Sequence, residues 1–383
     1  MNQYPETFPP ELNRLLALLR TGLGTHVAPL PAGAVNPTEF LALVRRHRAA
    51  PFLHRCAGPA LKAELPAGVV RQIDVIAQST TLRALAQLAE QVRLTDLLHS
   101  AGIATLTVKG AVLAQQLHGG PGGRHVGDID LVASPREALR ADALLRRAGL
   151  RRTRPNFELT PRQAVEYLRL KPEFEYTVGV PPIRVELLWR LEGLPEVEAL
   201  LSRTVPCVVS GRTLATLPAD LNTLYLCQHG ARHGWFRLFW LLDVALLLRD
   251  PTLDWSAIAA EARRTARERP LLQAAALAHV LLGLPLPAAL CPHPGERNLV
   301  ARLAGEACRQ IARDAQAEEG IGEWTRQLSY RTRLQPTPRT KFAVLAPHLF
   351  SPESWRMWPL PDRWFFLYYF ATPVLWLWRR LRR

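Results

Sequence analysis

Two aspartates one residue apart, Asp128 and Asp130 in "GDIDLVA", lie among aliphatic residues. A β-strand turns successive side chains to opposite faces, so both carboxylates point one way and Ile129 and Leu131 the other. Carboxylates that close repel and raise each other's pKa, an arrangement that asks for a cation or strong donor between them. Their hard oxygens suit Mg²⁺ better than a soft metal, in a site that keeps waters and takes its remaining ligands from phosphate. A solvated acid pair at a strand end is the competing reading. A third acid asks for a reason too: Glu186, mid-strand in "IRVELLWRL", shares a face with Arg184 and Leu188 while Val185 and Leu187 take the other. A salt bridge to Arg184 or Arg190 would supply that reason as well as chemistry would. Glu173 and Glu175 on the preceding "EFEYTVG" are the fallback acids.

Around these residues the pattern implies an α+β fold, a small mixed sheet flanked by helical regions. "IATLTVKG" reads as a buried strand ending at Gly110, "AVLAQQLH" as a short helix, and "HVGDIDLVA" as a second strand. Between them "GGPGG" cannot continue a helix; lacking a following GK[ST] it is read as a mobile flap and not a P-loop. "SPREALRADALLRRAGL" is expected to be a helix capped by Ser134, with Pro135 at its first position and Gly149 near its end. "EFEYTVG" with "IRVELLWRL", and "VPCVVSGRTLATL", read as hairpins or neighbouring strands, and one long helical stretch runs from Ala219 to Asp250. The expected organisation is a helical region over 1–101, a core over 102–217, a helical domain over 218–333, and a Pro-rich segment with an aromatic, basic tail over 334–383.

The charge balance, 48 Lys and Arg against 33 Asp and Glu, gives a net of +15, and all but four of the basic residues are arginines. That excess leans toward an anionic partner such as nucleotide, RNA or membrane, although a solvated basic surface explains it as readily. Five cysteines without a CxxC suggest neither a disulfide framework nor a zinc knuckle, which fits a reducing cytoplasm. The N-terminus shows no basic n-region and no small-residue cleavage site, so no export signal is expected. "WFFLYYFATPVLWLW" before "RRLRR" is too short to span a bilayer, which leaves a helix packed on the body or a contact with the inner membrane face.

The order strand, glycine, short helix, loop and D-x-D strand resembles the nucleotidyltransferase fold of the DNA polymerase β superfamily. More narrowly, "LTVKGAVLAQQLHG", "GDIDLVAS", "RVELLWRL" and "LCQHGARHGWFRLFWLLDVALLL", in that order over residues 103–248, look like the bacterial uncharacterised nucleotidyltransferase family. The resemblance implies transfer of a nucleoside monophosphate from ATP or another NTP to a hydroxyl of an unidentified acceptor, a small molecule, protein or RNA. Two Mg²⁺ ions would be held by Asp128, Asp130 and, as the third acid, Glu186. Lys109 and Gly110 stand where many superfamily members carry Gly-Ser; the K-G form is similar to that of abortive-infection nucleotidyltransferase toxins and implies that Lys109 contacts phosphate. Gly110 permits close backbone approach ahead of a helix N-terminus that favours an anion. Arg124, and after it His125, could touch phosphate or the acceptor. A catalytically silent nucleotide-binding scaffold and a tRNA-modifying toxin are the alternatives. His229 and His233, four apart, lack the glutamate of H-E-x-x-H, so zinc is rejected, and His229, His233, Arg237 or Asp243 are placed along the cleft. Trp235, Phe236, Phe239 and Trp240 are expected in the core.

Overall fold

The computed structural model describes residues 8–25, 35–313, 321–349 and 352–372. Helices α1 (Pro10–Leu23), α2 (Pro37–Arg46), α3 (Ala50–Cys56), α4 (Gly58–Glu64) and the long α5 (Ala67–Ser100) lead into strand β1 (Thr105–Val108). Then follow α6 (Gly110–His118), β2 (Ile129–Ala133), α7 (Ala138–Arg147), β3 (Arg151–Arg154), α8 (Pro161–Leu170), β4 (Glu173–Val178) and β5 (Ile183–Leu188). Next come α9 (Val197–Leu201), β6 (Val205–Val209), β7 (Arg212–Thr216), α10 (Ala219–Arg232), α11 (Leu238–Leu248), α12 (Trp255–Arg264) and α13 (Glu268–Leu282). The last helices are α14 (Pro294–Ala312), α15 (Ile321–Arg333), α16 (Pro338–Leu349) and α17 (Glu353–Met357).

The expected α+β class is what forms: a seven-stranded mixed sheet, ordered β3-β4-β5-β2-β1-β7-β6, between helical regions. β2 is central, antiparallel to β1 and parallel to β5, and the pairs β4/β5 and β6/β7 are the antiparallel neighbours that alternation suggested. Strand periodicity sorts the side chains. Leu106, Val108, Val132 and Leu188 meet Leu217, Leu221 and Tyr225 at the start of α10 on one face. Ile129, Leu131, Val185 and Leu187 meet Leu94 and Leu98 of α5 and Leu145 of α7 on the other.

Two expectations are corrected. The helix after Ser134 starts later than its cap signal implied: residues 135–137 form a turn and α7 begins at Ala138, while the Ser134 hydroxyl accepts from the Arg136 N–H and donates to Glu198. The single long helix after Pro218 is two, because the chain reverses over residues 233–237. There the Trp235 N–H returns to the Gly230 carbonyl (2.9 Å), and the indole covers Gly230 so closely that an added Cβ would lie 2.3 Å from it.

The helices before and after the sheet share one interior. Leu12, Leu16, Phe40 and Phe52 pack in the same cluster as Leu238, Leu242, Leu277 and Leu281. Arg20 donates to the Leu281 carbonyl (2.9 Å), fastening α1 to the end of α13. Near the C-terminus Phe365 and Tyr368 are buried against Trp355, whereas Trp364, Phe366 and Phe370 are exposed; residues 373–378 of the aromatic stretch and the "RRLRR" end lie outside the described residues. Among the described residues no helix is long and apolar enough to cross a membrane.

Candidate active site

Asp130 is the second residue of β2, paired across the sheet with Val108 on one side and Glu186 on the other. Register partners point to the same face, so Asp130 and Glu186 are neighbours, and Asp128, just ahead of the strand, follows the same alternation. β4 adds to this face, since Glu175 is the register partner of Glu186 and Glu173 that of Leu188. Five acids therefore line one stretch of sheet, the fallback Glu173 and Glu175 joining Asp128, Asp130 and Glu186 and not replacing the last.

Their electrostatics follow from that crowding. Burial pushes Glu186 up to about 7, with Asp128 and Glu173 adding to the push and Lys109 opposing it. Asp130, 2 % exposed, is also driven upward, first by burial, against the pull of Lys109 and with Asp128 and Glu186 reinforcing. Glu173 rises by burial, opposed by Arg232. The Lys109 ammonium lies 3.2 Å from Asp130 Oδ2 and 5.6 Å from the Tyr225 ring centre. Burial alone would lower the lysine pKa, but Asp130 and then Tyr225 hold it above the ordinary value. Lys109 is thus no solvated strand-end residue. It sits at φ 55°, in the left-handed region that side chains rarely adopt, followed by Gly110 at φ 50°, so the β1–α6 turn is strained where it meets the acids.

The positions expected to bind divide in two. Asp128, Asp130, Glu186, Lys109 and Gly110 come together. Arg124 does not join them: its guanidinium grips Asp243 of α11 with three contacts of 2.8–3.0 Å and donates to the His125 carbonyl, while His118 Nε2 sits 2.8 Å from the same carboxylate. All three side chains are buried, so Arg124 and Asp243, placed at phosphate and cleft by the sequence, instead pin the flap loop to the helical body. His125 packs edge-on against Phe239 (6.0 Å) and is held neutral by burial and then Arg48. His229 and His233 stand side by side, ring centres 4.8 Å apart, each about 5 Å from Trp240. His229 is kept far below its ordinary pKa by burial and then Lys109; His233, exposed but crowded, is lowered by desolvation and then Arg232. Trp235, Phe239 and Trp240 are buried as expected; Phe236 is half-buried.

Sequence reading missed Arg48, at φ 53° in the turn between α2 and α3, and Tyr225 of α10. Arg48 feels Asp128, Arg124, Arg184 and Arg237, which sets it beside the acids. Nothing in its neighbourhood, "RRHRAAP", marks it off from other arginines.

Residues 33–283 match the model of the family described as uncharacterised nucleotidyltransferase, close to two thirds of the chain and all of the sheet. The chain belongs to that family. No curated protein matches it significantly. Membership in the uncharacterised nucleotidyltransferase family carries a general role in nucleotidyl transfer, with an NTP as the donor. Such chemistry usually takes a divalent metal, and the donor set can be tested for it. Among the described residues no three His, Cys, Asp or Glu are drawn together tightly enough to hold an ion as they stand, because cations hold two of the acids: Lys109 on Asp130 and Arg184 on Asp128 (3.3 Å). Yet only Asp130 Oδ2 faces that ammonium, at 3.2 Å; Oδ1 is buried with no hydrogen bond. A buried carboxylate oxygen with no hydrogen bond, beside acids of raised pKa, is a ligand of the kind a hard divalent ion satisfies. The residues fit the metal.

Proposed function

We propose that the protein is a Mg²⁺-dependent nucleotidyltransferase that moves a nucleoside monophosphate from ATP or another NTP to a hydroxyl of its acceptor. The observation that carries this reading is the juxtaposition of Asp130 and Glu186 as register partners, with Asp128 on the same face and Asp130 Oδ1 buried without a hydrogen bond. We take residues 102–217 as the catalytic unit. Asp128, Asp130 and Glu186 would hold the metal, which when bound neutralises triphosphate charge and favours the attacking hydroxyl as an oxyanion. In the transfer the hydroxyl oxygen bonds to the α-phosphorus as the bond to the β-phosphate's bridging oxygen breaks; pyrophosphate leaves, and the hydroxyl proton passes to a carboxylate of the site or to water.

The rest of the site positions. Lys109 neutralises Asp130 and lies between it and the Tyr225 ring. The strained Lys109–Gly110 turn points the first amides of α6, which have no side-chain cap, toward the phosphate end of the site. One observation favours a second reading: the ion pairs Lys109–Asp130 and Arg184–Asp128 are also the permanent counter-ions a nucleotide-binding scaffold without turnover would keep. A cytoplasmic protein touching an anionic membrane face through its C-terminal end is a further proposal, supported by exposed Trp364, Phe366 and Phe370 ahead of an arginine-rich tail.

Incubation with each α-labelled NTP, Mg²⁺ and cell lysate tests the activity. Label should enter one fraction and vanish with Asp128→Ala or Asp130→Ala. Nucleotide binding without transfer in any fraction would instead select the scaffold.

A further inference from the structure

A half-enclosed basin of about 1210 Å³ opens beside the acids, between the α2–α3 turn, the α10–α11 reversal, α14 and α15. Among the described residues lining it ten are arginines, and one, Glu306, is an acid, already paired with Arg333 (2.7 Å). It is continuous with the candidate active site in charge: Arg48 and Arg237 both feel Asp128, and Arg232 feels Glu173. Three of its guanidiniums, those of Arg48, Arg237 and Arg331, are half-buried without a hydrogen-bond acceptor or acid partner among the described residues. Two of the three rest on aromatic faces, Arg48 at 5.3 Å from the Phe239 ring centre and Arg237 at 4.7 Å from that of Phe236. Stacking uses the flat faces and leaves the N–H edges for a ligand. Like charges gathered out of water are unfavourable without an anion: burial lowers Arg48, Arg237 and Arg331 below the ordinary arginine value. Neighbouring guanidiniums (Arg237 on Arg48, Arg184 on Arg237, Arg232 on Arg331) add to it, against Asp128 on the first two and Glu192 on Arg331.

The anion must be large. A triphosphate brings a charge of about −4, less than this wall of arginines would balance, and the volume exceeds the roughly 300–1,000 Å³ of ordinary small-ligand pockets. Guanidiniums spread along a wall, with the half-buried Phe236 ring among them, suit a single strand, whose phosphates meet cations and whose bases stack on such rings. A basin closed on one side suits the end of such a strand, and an end carries the hydroxyl that the transfer needs. We propose, resting on the nucleotidyltransferase reading, that this basin seats the acceptor and that the acceptor is the end of a single-stranded polynucleotide, its phosphates against Arg48, Arg237 and Arg331.

Fluorescence anisotropy of a labelled single-stranded uridylate 12-mer, without NTP, tests this apart from catalysis, with a deoxy 12-mer in parallel to separate RNA from DNA as the source of the phosphates. The triple variant Arg48→Ala/Arg237→Ala/Arg331→Ala should bind at least tenfold more weakly. Its salt slope should fall by about 2, since each phosphate contact on a single strand contributes roughly 0.7. The matching lysine triple should retain most of the affinity, which answers the objection that the alanine variant has misfolded. Removing equal charge from the exposed Arg136, Arg147 and Arg151, elsewhere on the surface, should change affinity less than about threefold. No binding of either oligomer, equal loss in both alanine triples, or a single nucleotide binding as tightly as the 12-mer would overturn the proposal. Oligomer binding that depends on the basin, with no label transfer from any NTP, would sink the catalytic reading and leave the basin; transfer to a non-nucleic acceptor with no oligomer binding would do the reverse.

Discussion

Asp243→Asn removes the negative charge on which the flap loop hangs. The carboxylate is fully buried and takes Arg124 in a fork of 2.8–3.0 Å contacts as well as His118 at 2.8 Å. An amide keeps the shape but leaves the buried guanidinium uncompensated, a change that costs about 3–5 kcal/mol. Against a total stability on the order of 5–15 kcal/mol, the variant should lose more than a hundredfold in its folding equilibrium. Urea unfolding followed by tryptophan fluorescence measures the loss. Replacing both partners, as Asp243→Leu/Arg124→Met, should cost less than Asp243→Asn alone, because no charge is then stranded. pH gives a second check with a definite sign. Burial alone would raise the Asp243 pKa, but Arg124 and then His118 outweigh it and the folded value lies below the ordinary one. A depressed acid adds stability that is complete above its unfolded pKa, near 4, and lost as pH falls through the folded value. The gap between wild type and Asp243→Asn should therefore be flat at neutral pH and close below about pH 4. A single-variant cost under about 1 kcal/mol, or a double variant as weak as the two singles combined, would refute this reasoning.

Glu186→Gln should cut label transfer at least a hundredfold while leaving urea stability equal or higher, since burial, and then Asp128, already disfavour the charged form and push it up to about 7; a loss of fold would show the acid to be structural. Gly123→Ala should destabilise by about 1–3 kcal/mol, because its Cβ would meet the His118 carbonyl at 2.2 Å, whereas Gly127→Ala, which meets only the flexible end of Arg48 at 3.2 Å, should be tolerated in the same urea titration. Gly230→Ala should unfold at lower urea than wild type and shift the tryptophan emission, as the new methyl would press on the Trp235 ring from 2.3 Å.

Much of the sheet was legible because strand signals are local: β1 lies where a β-branched buried run placed it, β4 and β5 where alternation did, and the D-x-D spacing put Asp128 and Asp130 of the β2 segment on one face. Glu186 was picked out by a polar side chain amid apolar neighbours, the same logic. What could not be read is tertiary. Lys109 is a phosphate contact by resemblance, and that Asp130 and Tyr225 surround it appears only in the fold. Arg124 was misplaced because an arginine in a glycine-rich loop signals phosphate, and its true partner, Asp243, lies on a helix far along the chain. The α10–α11 break falls in the polar run from Gln228 to Gly234 between two apolar stretches, and it is fixed by the turn in which Trp235, at φ 56°, folds back on Gly230.

The shared interior of the first and last helices has a consequence for how the site comes into being. During synthesis the strands beside Asp128 and Glu186 emerge well before α11 and α13, and until those arrive Leu16 and Phe52 have only the N-terminal helices and the α6 region to pack against, not Leu238, Leu242, Leu277 and Leu281. Arg48 can meet Arg237 only after that late closure, so the sheet is finished first and its anion-facing wall is the last part of the machine to be mounted.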